Sequence, residues 1–331
     1  MKVRIADLWQ SLNQQESHSV GFVKTLVDPS VAIAVYLALV FPNRNKALII
    51  DATGINSSFI EPFVGKGMKL ERVFEKASPD RILLMLSLTD IIYSEVFDVL
   101  LEDCISSLAN LNDKTESLNV FANRLSAWKK LLETYTESGM STTEQQGLFG
   151  ELVILLRLLK KFPDKSMQLL TAWQGPDKFQ QDFQTNEWAA EVKTTTSNDS
   201  VIIANESQLN ASGLKHLFLW HITLDKYAEK GVTLNNLVIE LKLLLKNSSA
   251  ALKLLNLRLA AIGYFFHQSF LYEKSGYLIR QEKIYLVEDG FPSLTLKNIP
   301  IGINEVKYTL KLSACTSFIT SEEVFFATLN L

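Results

Sequence analysis

Asp182-Phe183-Gln184-Thr185-Asn186-Glu187-Trp188-Ala189-Ala190-Glu191-Val192-Lys193 reads as a β-hairpin that carries charge where a hairpin of this composition should be buried. Alternate residues of a strand share a face, so Glu191 and Lys193 point one way and Val192 the other. With Thr185-Asn186 as a two-residue turn, Asp182 lies opposite Ala189 and joins the Glu191 face. Moving the turn to Asn186-Glu187 keeps that face, whereas a three-residue loop flips it. Pro176-Asp177 offers a competing acid, but on the same pairing Asp177 faces the other side, so Asp182 is preferred. Trp188, Val192 and the Ala189-Ala190 pair predict a largely buried hairpin, in which acidic groups need a reason to be present.

The segment before the hairpin supplies a third acid. Ser141-Thr142-Thr143-Glu144 is a capping box that starts a helix over about 142–161, and Phe162-Pro163-Asp164 ends it. Glu151 lies on this helix beside Gly147, Leu148, Ile154 and Leu155, an apolar face on which a carboxylate is costly unless paired or bound to a cation. The alternative is a glutamate that faces solvent or pairs with Arg157. Two carboxylates and a lysine on one sheet face can hold Mg²⁺ and a water beside a phosphodiester. Asp182 and Glu191 can give carboxylate oxygens, the Val192 carbonyl a further one, and Glu151 can bind directly or through water. Lys193 can orient or help deprotonate the attacking water and offset charge on the phosphate. Taken alone, this spacing is a weak signal, because a charged strand face is usually just solvated.

Working outward, Lys46–Ala52 and Arg81–Leu88 read as buried strands and Ile91–Leu108 as a helix. Over residues 114–138, Leu118, Phe121, Leu125, Trp128, Leu132 and Tyr135 form one apolar helical stripe, read as core packing, with a stop signal at Gly139. After the hairpin, Val201–Ala204 reads as a third strand, Glu206–Gly213 as a short helix or turn, and Leu217–Leu224 as a fourth strand. The order around the hairpin is therefore helix, three strands, helix, strand. Roughly the last 80 residues look β-rich, with Tyr277–Arg280 and Lys283–Val287 paired as a hairpin and Lys307–Leu312 alternating. These patterns predict an α/β (α+β) protein in three regions: an N-terminal α+β region (1–112), a central core (113–235) of mixed sheet flanked by helices, and a β-rich C-terminal region (236–331).

The chain of 331 residues carries 33 Lys and Arg against 36 Asp and Glu, a formal charge of −3, so no basic excess advertises nucleic acid. Residues 147–235 hold 9 basic against 10 acidic side chains, and tight unaided DNA binding is not implied. The two cysteines, Cys104 and Cys315, are too few for a zinc site and are read as reduced core residues. No apolar run reaches the roughly 20 residues a membrane helix needs, and the N-terminus has no apolar signal core, so a cytoplasmic protein without membrane contact is expected. His216 and His221 have no third ligand nearby and are read as structural or surface residues. Neither a P-loop nor a Gly-x-Ser-x-Gly elbow is present.

The chain resembles the PD-(D/E)XK nucleases, of restriction-endonuclease-like fold, and more closely an uncharacterised bacterial family of that type. Gly147-Leu148-Phe149-Gly150-Glu151-Leu152, Trp173-Gln174-Gly175-Pro176, Asp182-Phe183, Glu191-Val192-Lys193-Thr194-Thr195 and Ser207-Gln208-Leu209 carry the likeness. The Trp128 helix and Phe291-Pro292 also fit, so it spans most of the chain. The resemblance implies Glu151, Asp182, Glu191 and Lys193 as the active-site set, with Mg²⁺ as metal and Mn²⁺ as its substitute, and Gln208 as an auxiliary residue. A RecB-like enzyme would add a tyrosine four residues after Gln208, where this chain has Ser212. The implied activity is Mg²⁺-dependent endonucleolytic cleavage of DNA, most simply double-stranded, in bacterial restriction or phage defence, with a homodimer or other defence subunits as partners. The alternatives are a weakly active or inactive DNA- or partner-binding subunit, and a nuclease acting on RNA.

Overall fold

The computed structural model describes residues 5–15, 20–75, 78–134, 138–175, 180–196, 199–227, 231–295, 298–300, 302–303 and 306–329. The chain falls into two compact units, Met1–Tyr135 and Thr136–Leu331, where the sequence suggested three regions divided at 112 and 235. The long helix with the Trp128 stripe lies in the first unit. The C-terminal residues share a sheet with the hairpin.

The first unit contains α1 (Ile5–Asn13), β1 (Gly21–Leu26), β2 (Val35–Phe41), β3 (Asn45–Asp51), β4 (Phe63–Gly65), β5 (Met68–Glu75), β6 (Ser78–Leu88), α2 (Ser94–Ser107) and α3 (Lys114–Thr134). Its six strands form one antiparallel sheet in the order β1-β2-β3-β6-β5-β4. β3 is central. Ala47, Leu48, Ile49 and Ile50 are all buried, which explains why this strand reads as an unbroken apolar run rather than an alternating one. On α3, Leu118, Phe121, Leu125, Trp128 and Leu132 are buried as the stripe predicts; Tyr135 lies outside the described residues. Buried Asp103 of α2 accepts hydrogen bonds from Arg124 and from Trp128 Nε1 (2.9 Å), which ties α2 to α3.

The second unit opens with α4 (Thr142–Lys161), α5 (Ser166–Ala172), β7 (Phe183–Gln184), β8 (Trp188–Thr195), β9 (Ser200–Ile203), β10 (His216–Tyr227) and β11 (Val232–Thr233). It continues with α6 (Leu234–Leu244), α7 (Ser249–Ala261), β12 (Gly276–Leu286), β13 (Tyr308–Lys311), β14 (Ile319–Thr320) and α8 (Glu322–Thr328). The capping box at Ser141 starts α4 as predicted: Glu144 N donates to Ser141 Oγ, and Ser141 N donates to the Glu144 carboxylate.

A mixed sheet in the order β11-β12-β10-β8-β7 forms the middle of this unit, with β8 and β10 parallel and the other pairs antiparallel. Strand alternation sorts its two faces. Trp188, Ala190, Val192, Phe218, Trp220 and Ile222 pack with the apolar side of α4 and with α6 and α7. Ala189, Leu217, Leu219 and Tyr285 pack on the opposite side with Val201, Ile203, Leu310 and Cys315. Gly150 lets α4 lie close on the sheet, because a β-carbon there would overlap Thr194 Cγ2. Cys104 and Cys315 are buried free thiols.

Three expectations change. The third strand, β9, leaves the main sheet and pairs with β13. Residues 206–213 form turns, one of the two readings the sequence left open, so among the described residues no helix stands between β9 and β10. The residues 277–287 expected to form a hairpin instead make one long strand, β12, on which Arg280 is skipped in the pairing between Ile279↔Leu224 and Gln281↔Thr223. No turn-forming residue interrupts that stretch, so an extra residue is absorbed as a bulge instead of a reversal. The C-terminal region is correspondingly mixed rather than β-rich, since α6, α7 and α8 all lie in it.

Candidate active site

Register decides where the acids go. Phe183 pairs with Ala190 and Gln184 with Ala189, and Thr185 N donates to Trp188 O at 2.8 Å. The turn is therefore Asn186-Glu187, the second of the two registers that put Asp182 on the Glu191 face. Continuing this pairing places Asp182 opposite Glu191, one step beyond the end of β7. There the ladder stops, and a side chain takes over: Val192 N–H donates to Asp182 Oδ2 at 2.7 Å. In an antiparallel pair the N–H and C=O of one residue point to the same side, so the Val192 carbonyl faces this open edge too.

Two buried carboxylates, Glu151 and Glu191, and the partly buried Asp182 meet around that edge. Glu191 is 1% exposed and Glu151 8% exposed. Glu191 Oε1 lies 2.6 Å from Lys193 Nζ, while Glu191 Oε2 is buried with no hydrogen-bond partner. Lys193 Nζ also donates to Gln208 Oε1 at 3.2 Å, and Ala204 N donates to the same oxygen at 2.8 Å. Glu151 receives the Trp173 indole N–H at 2.7 Å on Oε2. Arg157, the alternative partner for Glu151, is committed elsewhere: it pairs with Glu282 (2.8 Å) and Glu322 (3.3 Å). Glu151, Asp182, Glu191 and Lys193 are thus brought together. Gln208 is their neighbour, and Asp177 lies outside the described residues.

Burial without enough counter-charge shows in the acid strengths. Glu191 is pushed up to about 8, first by burial and then by Asp182, against the pull of Lys193. Burial and Asp182 also hold Glu151 well above the ordinary carboxylate range despite the Trp173 hydrogen bond. Asp182 is raised by burial, opposed by Lys193 and the Val192 N–H. Lys193 is raised above its ordinary value because Glu191, Asp182 and Glu151 together outweigh its own burial. It stays an ammonium.

The donor set is all oxygen, one oxygen is buried and unpartnered, and three acids share one lysine; this suits a hard divalent cation. Among the described residues no three His, Cys, Asp or Glu side chains form a ready metal cage. Asp182 is turned to the Val192 N–H and Glu191 Oε1 to Lys193, so the predicted ligand set of Asp182, Glu191, Val192 and Glu151 is assembled as neighbours and not as a closed shell. Mg²⁺ fits such a site, because it commonly takes one or two carboxylates and keeps several waters.

The residues that hold the acids were not assigned that role from sequence. Trp173 and Gly175 flank Glu151, and a β-carbon at Gly175 would overlap Glu151 Oε2. Gln181, 2% exposed, donates from Nε2 to Ser207 O at 2.7 Å and so ties the Asp182 segment to the turn that carries Gln208. Only a buried tryptophan with an N–H to place hinted at such a role. His221 is structural, as expected: it is buried, its Nε2 lies 2.8 Å from Thr195 Oγ1, and burial and then Lys283 pull it down to about 4. No helix among the described residues is long and apolar enough to cross a membrane.

No curated protein and no solved structure matches the chain. A family model described as "Putative PD-(D/E)XK family member, (DUF4420)" matches residues 5–313, nearly the whole length and including every residue of the site, and the chain belongs to that family.

Proposed function

We propose that the protein is a divalent-metal-dependent endonuclease that hydrolyses DNA phosphodiester bonds, with Mg²⁺ as the working ion and bacterial restriction or phage defence as its setting. The observation that carries this reading is the unpartnered, buried Glu191 Oε2 beside Asp182 and Lys193. Structural carboxylates end up paired; an acid left short of partners at a strand edge is kept for something else. Asp182, Glu191 and the Val192 carbonyl would hold the ion, with Glu151 directly or through water. When bound, Mg²⁺ would supply Lewis acidity to the scissile phosphate and its attacking water.

The side chains do the rest. Lys193 has three N–H donors, and Glu191 and Gln208 take two of them. The third is available to orient the attacking water or to meet the phosphate oxygen on which negative charge grows. Because Lys193 is held as an ammonium, its role is donation and charge compensation rather than proton removal. Water oxygen bonds to phosphorus, the phosphorus–oxygen bond to the sugar breaks, the attacking water gives its proton to solvent or a neighbouring carboxylate, and the departing sugar oxygen takes up a proton from solvent to leave as a hydroxyl. Gln208 gives the lysine a second anchor beside its ion pair with Glu191, which fixes the direction of the remaining N–H.

The balance of 9 basic and 10 acidic side chains over residues 147–235 favours a second reading, in which DNA affinity comes from a second copy or another defence subunit and the chain alone cuts weakly. The test is cleavage of supercoiled plasmid, linear duplex and RNA with Mg²⁺ or Mn²⁺, using wild type, Asp182→Ala and Lys193→Ala. Metal-dependent DNA cleavage by wild type, lost in both variants, is expected. Cleavage of RNA alone would replace the substrate. Cleavage equal in all three proteins would sink the site assignment.

A further inference from the structure

We propose that Trp173-Gln174-Gly175 is a positioning strap that sets the spacing between Glu151 and Asp182, and so tunes the site's affinity for a divalent cation. The proposal rests on the nuclease reading above. Glu151 sits on α4 and Asp182 precedes β7; three consecutive residues reach both. Trp173 Nε1 donates to Glu151 Oε2 at 2.7 Å. Gln174 N and Gly175 N both donate to the Asp182 carbonyl, at 2.7 and 3.0 Å. Trp173 also makes an antiparallel bridge to Phe183, the residue after Asp182.

The indole is not simply a core residue that found an acceptor. Trp220 is equally buried in the same unit, and its Nε1 has no partner. The core therefore tolerates an unpartnered indole, yet Trp173 is aimed at a site acid. Gly175 closes the other side. It is not in the left-handed backbone region, so alanine is allowed there, but its β-carbon would fall on Glu151 Oε2. The methyl would displace the end of a flexible side chain and leave the backbone in place. Groups that orient metal ligands from behind typically matter by 10–100-fold in metal affinity.

The test is calorimetric titration of the full chain with Mn²⁺ alone and with Mg²⁺ alone, for wild type, Trp173→Phe, Gly175→Ala, Glu151→Gln and the two doubles with Glu151→Gln. Each strap variant is expected to weaken Mn²⁺ binding about tenfold or more. Neither should weaken it further in the Glu151→Gln background, because the strap acts through that carboxylate. Thermal melts check folding. Should Trp173→Phe misfold, Gly175→Ala carries the test, since its change is one methyl at the carboxylate. Wild-type affinity in the strap variants, or losses that add to that of Glu151→Gln, would overturn the proposal while leaving the nuclease reading intact. A wild type that binds neither ion and cuts nothing would remove both.

Discussion

Each unit buries an acid against a tryptophan, and the two sites resolve the charge differently. In the first unit Asp103 accepts from Trp128 Nε1 and from Nε and Nη2 of Arg124. One carboxylate meets one cation, and the cluster joins α2 to α3. In the second unit Glu151 accepts from Trp173 Nε1, but it shares a single lysine with Asp182 and Glu191, and one Glu191 oxygen has no partner. A matched charge serves packing; an unmatched cluster is a standing cost that folding alone does not explain.

The comparison breaks most visibly in activity. Lys193→Ala is expected to lower metal-dependent cleavage by about 10²–10³-fold, whereas Arg124→Ala, which removes the counterpart cation of the first unit, should leave the rate per folded molecule unchanged. Initial rates normalised to folded protein decide it, and equal losses in the two variants would erase the distinction.

Next comes pH. Glu191 is raised from 4.5 to about 8 in the folded chain, so between those values the folded state binds more protons than the unfolded one. The metal-free protein should therefore be most stable below about pH 4.5, as far as this group is concerned, and lose stability as pH rises to 8. Glu191→Gln should flatten that slope and raise the melting temperature at pH 8, with Mg²⁺ stabilising wild type more at pH 8 than at pH 5. Melting curves across this range test the sign; a wild-type slope unchanged in Glu191→Gln would mean the acid is already compensated.

Asp103→Asn should move stability the other way, costing about 1.5–3 kcal/mol through the lost charged hydrogen bonds, with the exposed side of Arg124 limiting the loss. Urea denaturation measures it, and a stabilised Asp103→Asn would contradict the structural role. The smallest effect belongs to His221, lowered from 6.5 to about 4 by burial and then Lys283. Its contribution is present above pH 6.5 and fades as pH falls toward 4. His221→Gln should shallow only that acid limb of the melting profile.

Much of this was legible in the chain. The α4 capping box, the α3 stripe and the central β3 run are local patterns, and each appears where its spacing puts it. The Glu191-Lys193 face follows from strand parity, and Glu151 stood out as an acid on an apolar helix face. Less local features were misread. The β12 bulge at Arg280 depends on pairing with β10, and β9 leaves the sheet for β13, more than 100 residues away. Nothing near Val201–Ile203 in sequence indicates that partner.

By itself the sequence determined which residue types stand at 151, 182, 191 and 193 and that Glu191 and Lys193 share a strand face, because side-chain direction along a strand has a period of two. Tertiary structure decided the register, the short count of counter-charges and the strap that joins Glu151 to Asp182. Those depend on where β7 ends and on which N–H groups reach the carboxylates, and a through-space contact leaves no periodic mark along the chain.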